Sequence, residues 1–277
     1  MTNKEFLNSA TKTLRKAGIE SARLDVLVLL EDALATDRAL ILAHPDAEIP
    51  HETEVELNTK IIHRAGHTPL AYLRGHAEFY GRIFTVHPGV LVPRPETEAM
   101  IELMHTLSFE HPPHVADIGT GTGCLGITAA LETLTGLVDL YDIDPTVLDL
   151  AGQNAKKYNV KVQLYHENLL QQAASRHYDV VLANLPYVPQ KHPLNQAAQH
   201  EPKLAIISGE DGLEAYRELW DGATALRHRP RYLLTEALLS QHAALAELAH
   251  TAGYVLKETR GLVQLFETAN WPALRRV

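Results

Sequence analysis

The chain has 277 residues, of which 45% are hydrophobic and 21% charged, a length and balance that suit one large or two moderate globular domains. Lys and Arg total 25 against 34 Asp and Glu, and the net charge of −9 argues against broad nucleic-acid binding, which depends on neutralising phosphates. The single cysteine, Cys124, excludes an internal disulfide and favours a reducing compartment. No secretory leader or bilayer-length apolar run is visible, so we predict a cytoplasmic protein without membrane attachment.

Residues 1–68 are predicted to form a small helical bundle. Leu7 and Leu14 are spaced for helix packing, and residues 22–34 and 52–65 form further amphipathic runs. The segment contains no nucleotide-binding signature, which favours a recognition or scaffold domain.

Residues 69–95 are predicted to form a hairpin linker. Residues 77–86 are rich in aromatic and β-branched side chains, with a turn expected near Gly81. Two prolines around Arg94 fix an extended path, and a helix is predicted to follow at residues 99–107.

Residues 96–277 are predicted to form an α/β domain in which strands and helices alternate. The predicted strands span residues 115–118, 137–143, 162–165, 180–183, 232–236, 254–258 and 262–267. A tight turn at Gly261 joins the last two, which makes them antiparallel. Alternation of this kind predicts a doubly wound, mostly parallel sheet, and ligands bind such sheets at the carboxyl ends of the strands.

Three glycines, Gly119, Gly121 and Gly123, follow the first strand of this domain. Glycine lets the backbone approach a ligand closely, and the helix N-terminus beyond offers free N–H groups. Residues 121–126 also fit the dinucleotide pattern G-x-G-x-x-G, with Asp142 about 20 residues further on to hold ribose hydroxyls. A nicotinamide or flavin dinucleotide is therefore an alternative cofactor.

The tetrapeptide Asn184-Leu185-Pro186-Tyr187 follows a short apolar run that reads as a buried strand, and it is the candidate catalytic site. Asn184 Oδ1 and the Leu185 carbonyl can accept two hydrogen bonds from an NH2 group, Pro186 stiffens an extended backbone, and Tyr187 can cover a planar substrate. The alternative is a strand-end turn with a structural proline and a packed tyrosine. The tetrapeptide and the acidic Asp117 in the first strand argue against a dinucleotide.

The glycine loop and the tetrapeptide together resemble the seven-stranded class I methyltransferases that use S-adenosylmethionine, a Rossmann-like fold. The resemblance implies that the backbone at Gly119, Thr120, Gly121, Thr122 and Gly123 passes beneath the amino-acid part of the cofactor. It also implies that Asp142 takes both ribose hydroxyls, that Asn168 and Leu169 lie by the adenine, that Asn184 borders the cofactor, and that S-adenosylhomocysteine is the product. Many family members carry Asp at the position of Asn168, and Asn keeps one acceptor for the adenine amino group.

Nearly the whole chain resembles the HemK/PrmC family, which methylates the glutamine amide of the Gly-Gly-Gln motif in class 1 peptide chain release factors. The resemblance covers the bundle and continues through residues 69–75, 78–80, 86–98 and 117–123, the tetrapeptide and Glu201-Pro202. It is most specific in the stretch Leu-Val-Pro-Arg-Pro-Glu-Thr-Glu at residues 91–98. It implies a release factor as protein partner, gripped with the help of the bundle, and no metal. We further expect a monomer that does not bind nucleic acid directly.

Three positions depart from the family pattern. Leu185 replaces a proline, Gln199 stands where arginine is usual, and the turn at residues 259–261 is short. Leu185 keeps the carbonyl that the chemistry requires, and Pro186 still biases it to an extended backbone. The alternatives are an rRNA adenine methyltransferase, a ribosomal-protein glutamine methyltransferase, a non-catalytic adaptor and a nicotinamide dehydrogenase.

Overall fold

The computed structural model describes residues 1–133 and 136–269, so the predicted domain end at residue 277 lies outside the described residues. The chain divides into two compact units, one made of residues 1–76 with 194–200 and the other of residues 77–193 with the chain from 201 onward. Among the described residues, no helix combines the length and the apolarity needed to cross a membrane.

The first unit is helical. Its helices are α1 (Asn3–Lys16), α2 (Ala22–Leu34), α3 (Arg38–Ala43), α4 (His51–Ala65) and α5 (Leu70–Arg74). Helix α1 begins with a reciprocal capping box, in which Thr2 Oγ1 accepts from the Glu5 N–H and Glu5 Oε2 accepts from the Thr2 N–H. Apolar side chains at helical spacing, such as Phe6 and Leu14, are fully buried against the neighbouring helices and form one core.

A hairpin and a short helix follow. Their elements are β1 (His76–Phe79), β2 (Arg82–Thr85), a 3₁₀ turn (Pro95–Thr97) and α6 (Glu98–Met104). The hairpin turn consists of Tyr80 and Gly81, both in the left-handed region with φ of 51° and 68°, as a two-residue hairpin loop requires. The predicted turn is thus confirmed, whereas the following helix ends at Met104 rather than at residue 107.

The second unit contains a seven-stranded sheet within the described residues. Its strands and helices are β3 (His114–Ile118), α7 (Cys124–Thr133), β4 (Leu137–Asp142), α8 (Pro145–Lys157), β5 (Val162–His166), β6 (Val180–Ala183), α9 (Glu214–Ala225), β7 (Tyr232–Glu236), α10 (His242–Thr251), β8 (Tyr254–Arg260) and β9 (Val263–Thr268). The order is β5-β4-β3-β6-β7-β9-β8, and β9 runs antiparallel to both of its neighbours. The predicted doubly wound, mostly parallel sheet is confirmed.

Both faces of this sheet are covered. Val180 and Leu182 of β6 face the core formed with α6, α7 and α8, while Val181 and Ala183 face the core formed with α9 and α10. All four residues are fully buried, which explains why the strand is a continuous apolar run without alternation. The chain leaves β3 toward β4 and β5 and later returns to β6 on the other side, so the strand order reverses between β3 and β6.

Candidate active site

The predicted glycine loop and tetrapeptide meet where the strand order reverses. Strands β3 and β6 pair in parallel with Ile118 opposite Ala183, so Gly119 and Asn184 leave the sheet at adjacent points. A cavity of about 420 Å³ opens there. Reversal points at the carboxyl edge of an open α/β sheet are where ligands bind, because the diverging loops leave a crevice.

Most of the predicted site residues line this cavity. Those that do are Gly119, Thr120, Gly121, Thr122, Asp142, Asn168, Leu169, Asn184, Leu185 and Pro186. Gly123 and Tyr187 are not among its lining residues. A side chain at Gly123 would lie 2.9 Å from Ile127 Cδ1 and 3.2 Å from Ala151 Cβ, so this glycine allows close packing behind the loop.

Asp117 holds the glycine loop from beneath. This side chain of β3 is fully buried, and its Oδ2 accepts from Thr120 Oγ1 at 2.6 Å and from the Gly126 N–H at 2.9 Å. Burial raises the pKa of Asp117 to about 6, although both hydrogen bonds act in the opposite direction. The acidic residue thus ties the loop to the first turn of α7.

Asp142 ends β4 and faces the cavity beside the loop. Its Oδ2 accepts from the Gly121 N–H at 3.0 Å, and its Oδ1 accepts from the Asp144 N–H at 3.0 Å. Burial raises the pKa of this carboxyl group, and hydrogen bonds from backbone N–H groups lower it. Each carboxylate oxygen offers two acceptor positions, so each keeps one for a ligand hydroxyl.

Asn168 and Leu169 follow β5 and line the same cavity. Asn168 Nδ2 donates to Glu218 Oε2 at 3.3 Å, and Leu169 has a left-handed φ of 52°. The preceding residue, Glu167, is paired through both carboxylate oxygens with Arg176 at 2.7 and 3.0 Å. This ion pair fixes the backbone on which the two predicted adenine contacts lie.

Asn184 is oriented by a hydrogen bond to Thr97, which lines the same cavity. Its Nδ2 donates to Thr97 Oγ1 at 2.8 Å, and the Leu185 N–H donates to the Tyr216 hydroxyl at 3.3 Å. Among the described residues, neither Asn184 Oδ1 nor the Leu185 carbonyl accepts a hydrogen bond. The two acceptors that the sequence singled out therefore remain available to a ligand.

Tyr187 is held by Glu236, the last residue of β7. The Tyr187 hydroxyl donates to Glu236 Oε1 at 3.0 Å, and Thr97 Oγ1 donates to Glu236 Oε2 at 2.7 Å. Burial raises the pKa of both Glu236 and Tyr187 above their ordinary values. Sequence reasoning missed Thr97 and Glu236 as site residues. The sequence did offer one indication of Glu236, which is an acidic residue at the carboxyl end of an otherwise uncharged predicted strand.

Arg94 and Glu201 form an ion pair at the rim of the cavity. Arg94 Nη2 lies 2.5 Å from Glu201 Oε1, and Glu201 Oε2 accepts from the Val92 N–H at 3.0 Å. The Glu201 carboxylate is almost fully buried, while Arg94 is partly exposed and lines the cavity. The proline-flanked segment is therefore tied to the Glu201-Pro202 motif.

In the part of the chain that the structure describes, no cluster of three or more His, Cys, Asp or Glu side chains has the arrangement of a metal site.

Comparison with protein families gives two matches. Residues 5–75 match the PrmC N-terminal domain, and residues 83–203 match the methyltransferase small domain. A solved methyltransferase from Pyrococcus furiosus has a TM-score of 0.53 at 16% identity, covering 77% of this chain and 98% of that one. At that identity the likeness concerns the fold alone, which is the class I methyltransferase fold.

Curated relatives match over most of their length. A release factor glutamine methyltransferase from Koribacter versatilis is 36% identical over 224 residues, which is 79% of this chain and 80% of the relative. One from Bacillus anthracis is 38% identical over 204 residues, 70% of this chain and 72% of the relative. The chain therefore belongs to the release factor glutamine methyltransferase family.

Proposed function

We propose that this protein transfers a methyl group from S-adenosylmethionine to the side-chain amide nitrogen of the Gly-Gly-Gln glutamine of a class 1 peptide chain release factor. The observation that carries the proposal is the pair of acceptors at the end of β6, Asn184 Oδ1 and the Leu185 carbonyl. A primary amide presents two N–H donors from one planar nitrogen, which matches this pair.

The cavity suits the cofactor. Its volume of about 420 Å³ falls within the range of small-molecule sites, roughly 300–1,000 Å³. Asp142 has one acceptor position left on each oxygen, enough for two neighbouring ribose hydroxyls. Gly119 and Gly121 would underlie the amino-acid part, and Asn168 and Leu169 would border the adenine. When bound, the cofactor supplies an electrophilic methyl group on a sulfonium sulfur.

The protein's own contribution is orientation of the nucleophile. An amide nitrogen is a poor nucleophile because its lone pair is delocalised into the carbonyl group. Hydrogen bonds to Asn184 and Leu185 would aim that nitrogen and favour the positive charge that develops on it. Tyr187 would cover the planar group. The proton can pass to water after the transfer, so the proposal requires no strong base among these residues.

The proposed partner is a release factor, and residues 1–68 would help to grip it. The relatives named above carry that substrate class in their names. We further propose that the enzyme acts as a monomer in the cytoplasm and needs no direct contact with nucleic acid, in keeping with its net charge of −9. Residues 69–95 would link the two domains, and 96–277 would carry the chemistry.

Methyl transfer from labelled S-adenosylmethionine to a purified release factor tests the proposal. The control is the same factor with the Gly-Gly-Gln glutamine changed to alanine. Label on the first protein and none on the second is the expected result. Asn184→Ala should abolish turnover and keep part of cofactor binding, whereas Tyr187→Phe, which keeps the ring, should retain much of the activity. Labelling of ribosomal RNA or a ribosomal protein, and not of the factor, would refute the proposed substrate.

A further inference from the structure

Two hydrogen bonds link the candidate catalytic amide to a buried carboxylate, and a third holds Tyr187 to the same carboxylate. Asn184 Nδ2 donates to Thr97 Oγ1 at 2.8 Å, Thr97 Oγ1 donates to Glu236 Oε2 at 2.7 Å, and the Tyr187 hydroxyl donates to Glu236 Oε1 at 3.0 Å. Glu236 is 0% exposed and Thr97 only 3% exposed. These hydrogen bonds join the ends of β6 and β7 to the start of α6.

With Glu236 ionised, proton counting fixes the direction of each of these hydrogen bonds. An ionised carboxylate carries no hydrogen, so Thr97 must donate its single hydroxyl proton to Glu236. The Thr97 oxygen can then only accept from Asn184. The amide must therefore turn its nitrogen toward Thr97 and its oxygen away from it.

The reverse orientation is disfavoured by the same count. A flipped amide would place Asn184 Oδ1 against the Thr97 oxygen with no hydrogen between them, so the bond would be lost and two acceptor oxygens would face each other. It would also present N–H groups to the substrate, which suit a carbonyl or carboxylate rather than an NH2 group. The carboxylate at Glu236 thus determines which kind of substrate atom Asn184 can bind.

The hydroxyl of Thr97 has no other structural duty among the described residues. Thr97 precedes α6 at the position where threonine usually caps a helix, yet its side chain makes no capping bond. Asn184, for its part, makes no side-chain bond to its own turn within the described chain. Both side chains are committed to each other.

We propose that Thr97 and Glu236 are positioning residues that hold the Asn184 amide with its oxygen toward the substrate, so that the site selects a group that donates N–H. This inference rests on the proposed function for its catalytic consequence. The orientation itself does not depend on the identity of the substrate.

Two matched variants test the catalytic consequence. Thr97→Val removes the hydroxyl at nearly constant shape, and Thr97→Ser keeps it. We expect Thr97→Val to lower kcat for glutamine methylation by about 10- to 100-fold, because a mispositioned acceptor costs rate. Thr97→Ser should stay within about threefold of wild type, and cofactor affinity measured by calorimetry should change less than about threefold in both. Glu236→Gln, which can turn either end of its amide to Thr97, should fall between them.

Equal loss in Thr97→Val, which keeps the methyl group, and in Thr97→Ser, which keeps the hydroxyl, would show that activity does not depend on the hydroxyl in particular, and it would overturn the inference. So would a Thr97→Val enzyme with wild-type kcat.

A second measurement needs no substrate. In protein labelled with ¹⁵N-asparagine, the side-chain signal of Asn184 is identified by its disappearance in Asn184→Asp. We expect hydrogen exchange of that NH2 group to be about tenfold faster in Thr97→Val than in wild type or Thr97→Ser, since its bond to Thr97 is lost. Identical exchange in all three would refute the positioning role. A protected amide in an enzyme that methylates no glutamine would refute the proposed function and leave the positioning inference standing.

Discussion

Gly126 lies in the first turn of α7, directly behind the glycine loop, and adding a single methyl group there tests how tightly this region is packed. An added Cβ would lie 2.6 Å from Leu140 Cδ2 and 2.9 Å from Asp117 Cβ, far inside the 3.5–4.0 Å at which carbon atoms attract. Leu140 and Asp117 are both fully buried and cannot rotate away. Overpacking of this kind costs about 1–3 kcal/mol.

Two smaller contributions to the free energy of unfolding modify this overpacking cost. Replacing glycine by alanine inside a helix gains up to about 1 kcal/mol. Displacing the Gly126 N–H from Asp117 Oδ2, now at 2.9 Å, loses about 1 kcal/mol. The two nearly cancel, so Gly126→Ala should destabilise the protein by about 1–3 kcal/mol.

Gly152 in α8 provides the matched control. Its added Cβ would meet only Leu164 Cδ1, at 2.9 Å, and the Leu164 side chain is 40% exposed and able to turn. Gly152→Ala should therefore be neutral or stabilising by up to about 1 kcal/mol. Urea unfolding followed by circular dichroism, with the slope held equal between variants, measures both. Equal stability of Gly126→Ala and Gly152→Ala would refute the packing argument.

Two further predictions concern backbone geometry and pH. Gly212→Ala should destabilise the protein by about 3 kcal/mol and reduce activity, because the φ of Gly212 is +81° and an added Cβ would overlap the Tyr187 carbonyl and Gln241 Nε2. Gly18 has a similar φ of +79° but open space around it. Gly18→Ala should therefore cost only about 1–2 kcal/mol in the same urea assay. A similar loss in both variants would contradict the contact argument. Burial raises the pKa of Asp117 from its ordinary 3.8 to about 6, so the native state holds this proton more tightly than the unfolded state. The stability of wild type relative to Asp117→Asn should fall by up to about 3 kcal/mol as pH rises from about 4 to 6 and then level off, and a flat difference would contradict it.

The strands of the second unit were predictable because their signal is local. The apolar run at residues 180–183 needs only its own sequence to be identified as a buried strand, and β6 has those bounds. The glycine loop and the tetrapeptide were equally visible, since each is a short run of residues whose types alone indicate a role. That the two meet follows from the doubly wound order, which brings Ile118 beside Ala183.

The positioning residues Thr97 and Glu236 were not predictable, because their proposed role depends on contacts between segments that are distant in the sequence. Thr97 and Glu236 are 139 residues apart in sequence. In the sequence Thr97 fits the pattern of a helix cap, and only the tertiary structure reveals that its hydroxyl is used elsewhere. Gly123 illustrates the converse case, since it shares the loop pattern of Gly119 and Gly121 but faces helix packing instead of the cavity.

Leu185, the departure from the family's usual proline, has a structural counterpart in Tyr216. The Leu185 N–H donates to the Tyr216 hydroxyl at 3.3 Å, and a proline there has no N–H to give. Tyr216 is fully buried, and its single hydroxyl proton is donated to the Glu236 carbonyl, while the Ala183 carbonyl oxygen lies 3.3 Å from the same hydroxyl. The bond fixes the residue after Asn184 to the same strand ends that hold the Asn184 amide. Leucine at this position therefore gains through its N–H some of the rigidity that proline would supply through its ring, and it keeps the carbonyl that we propose as an acceptor for the substrate.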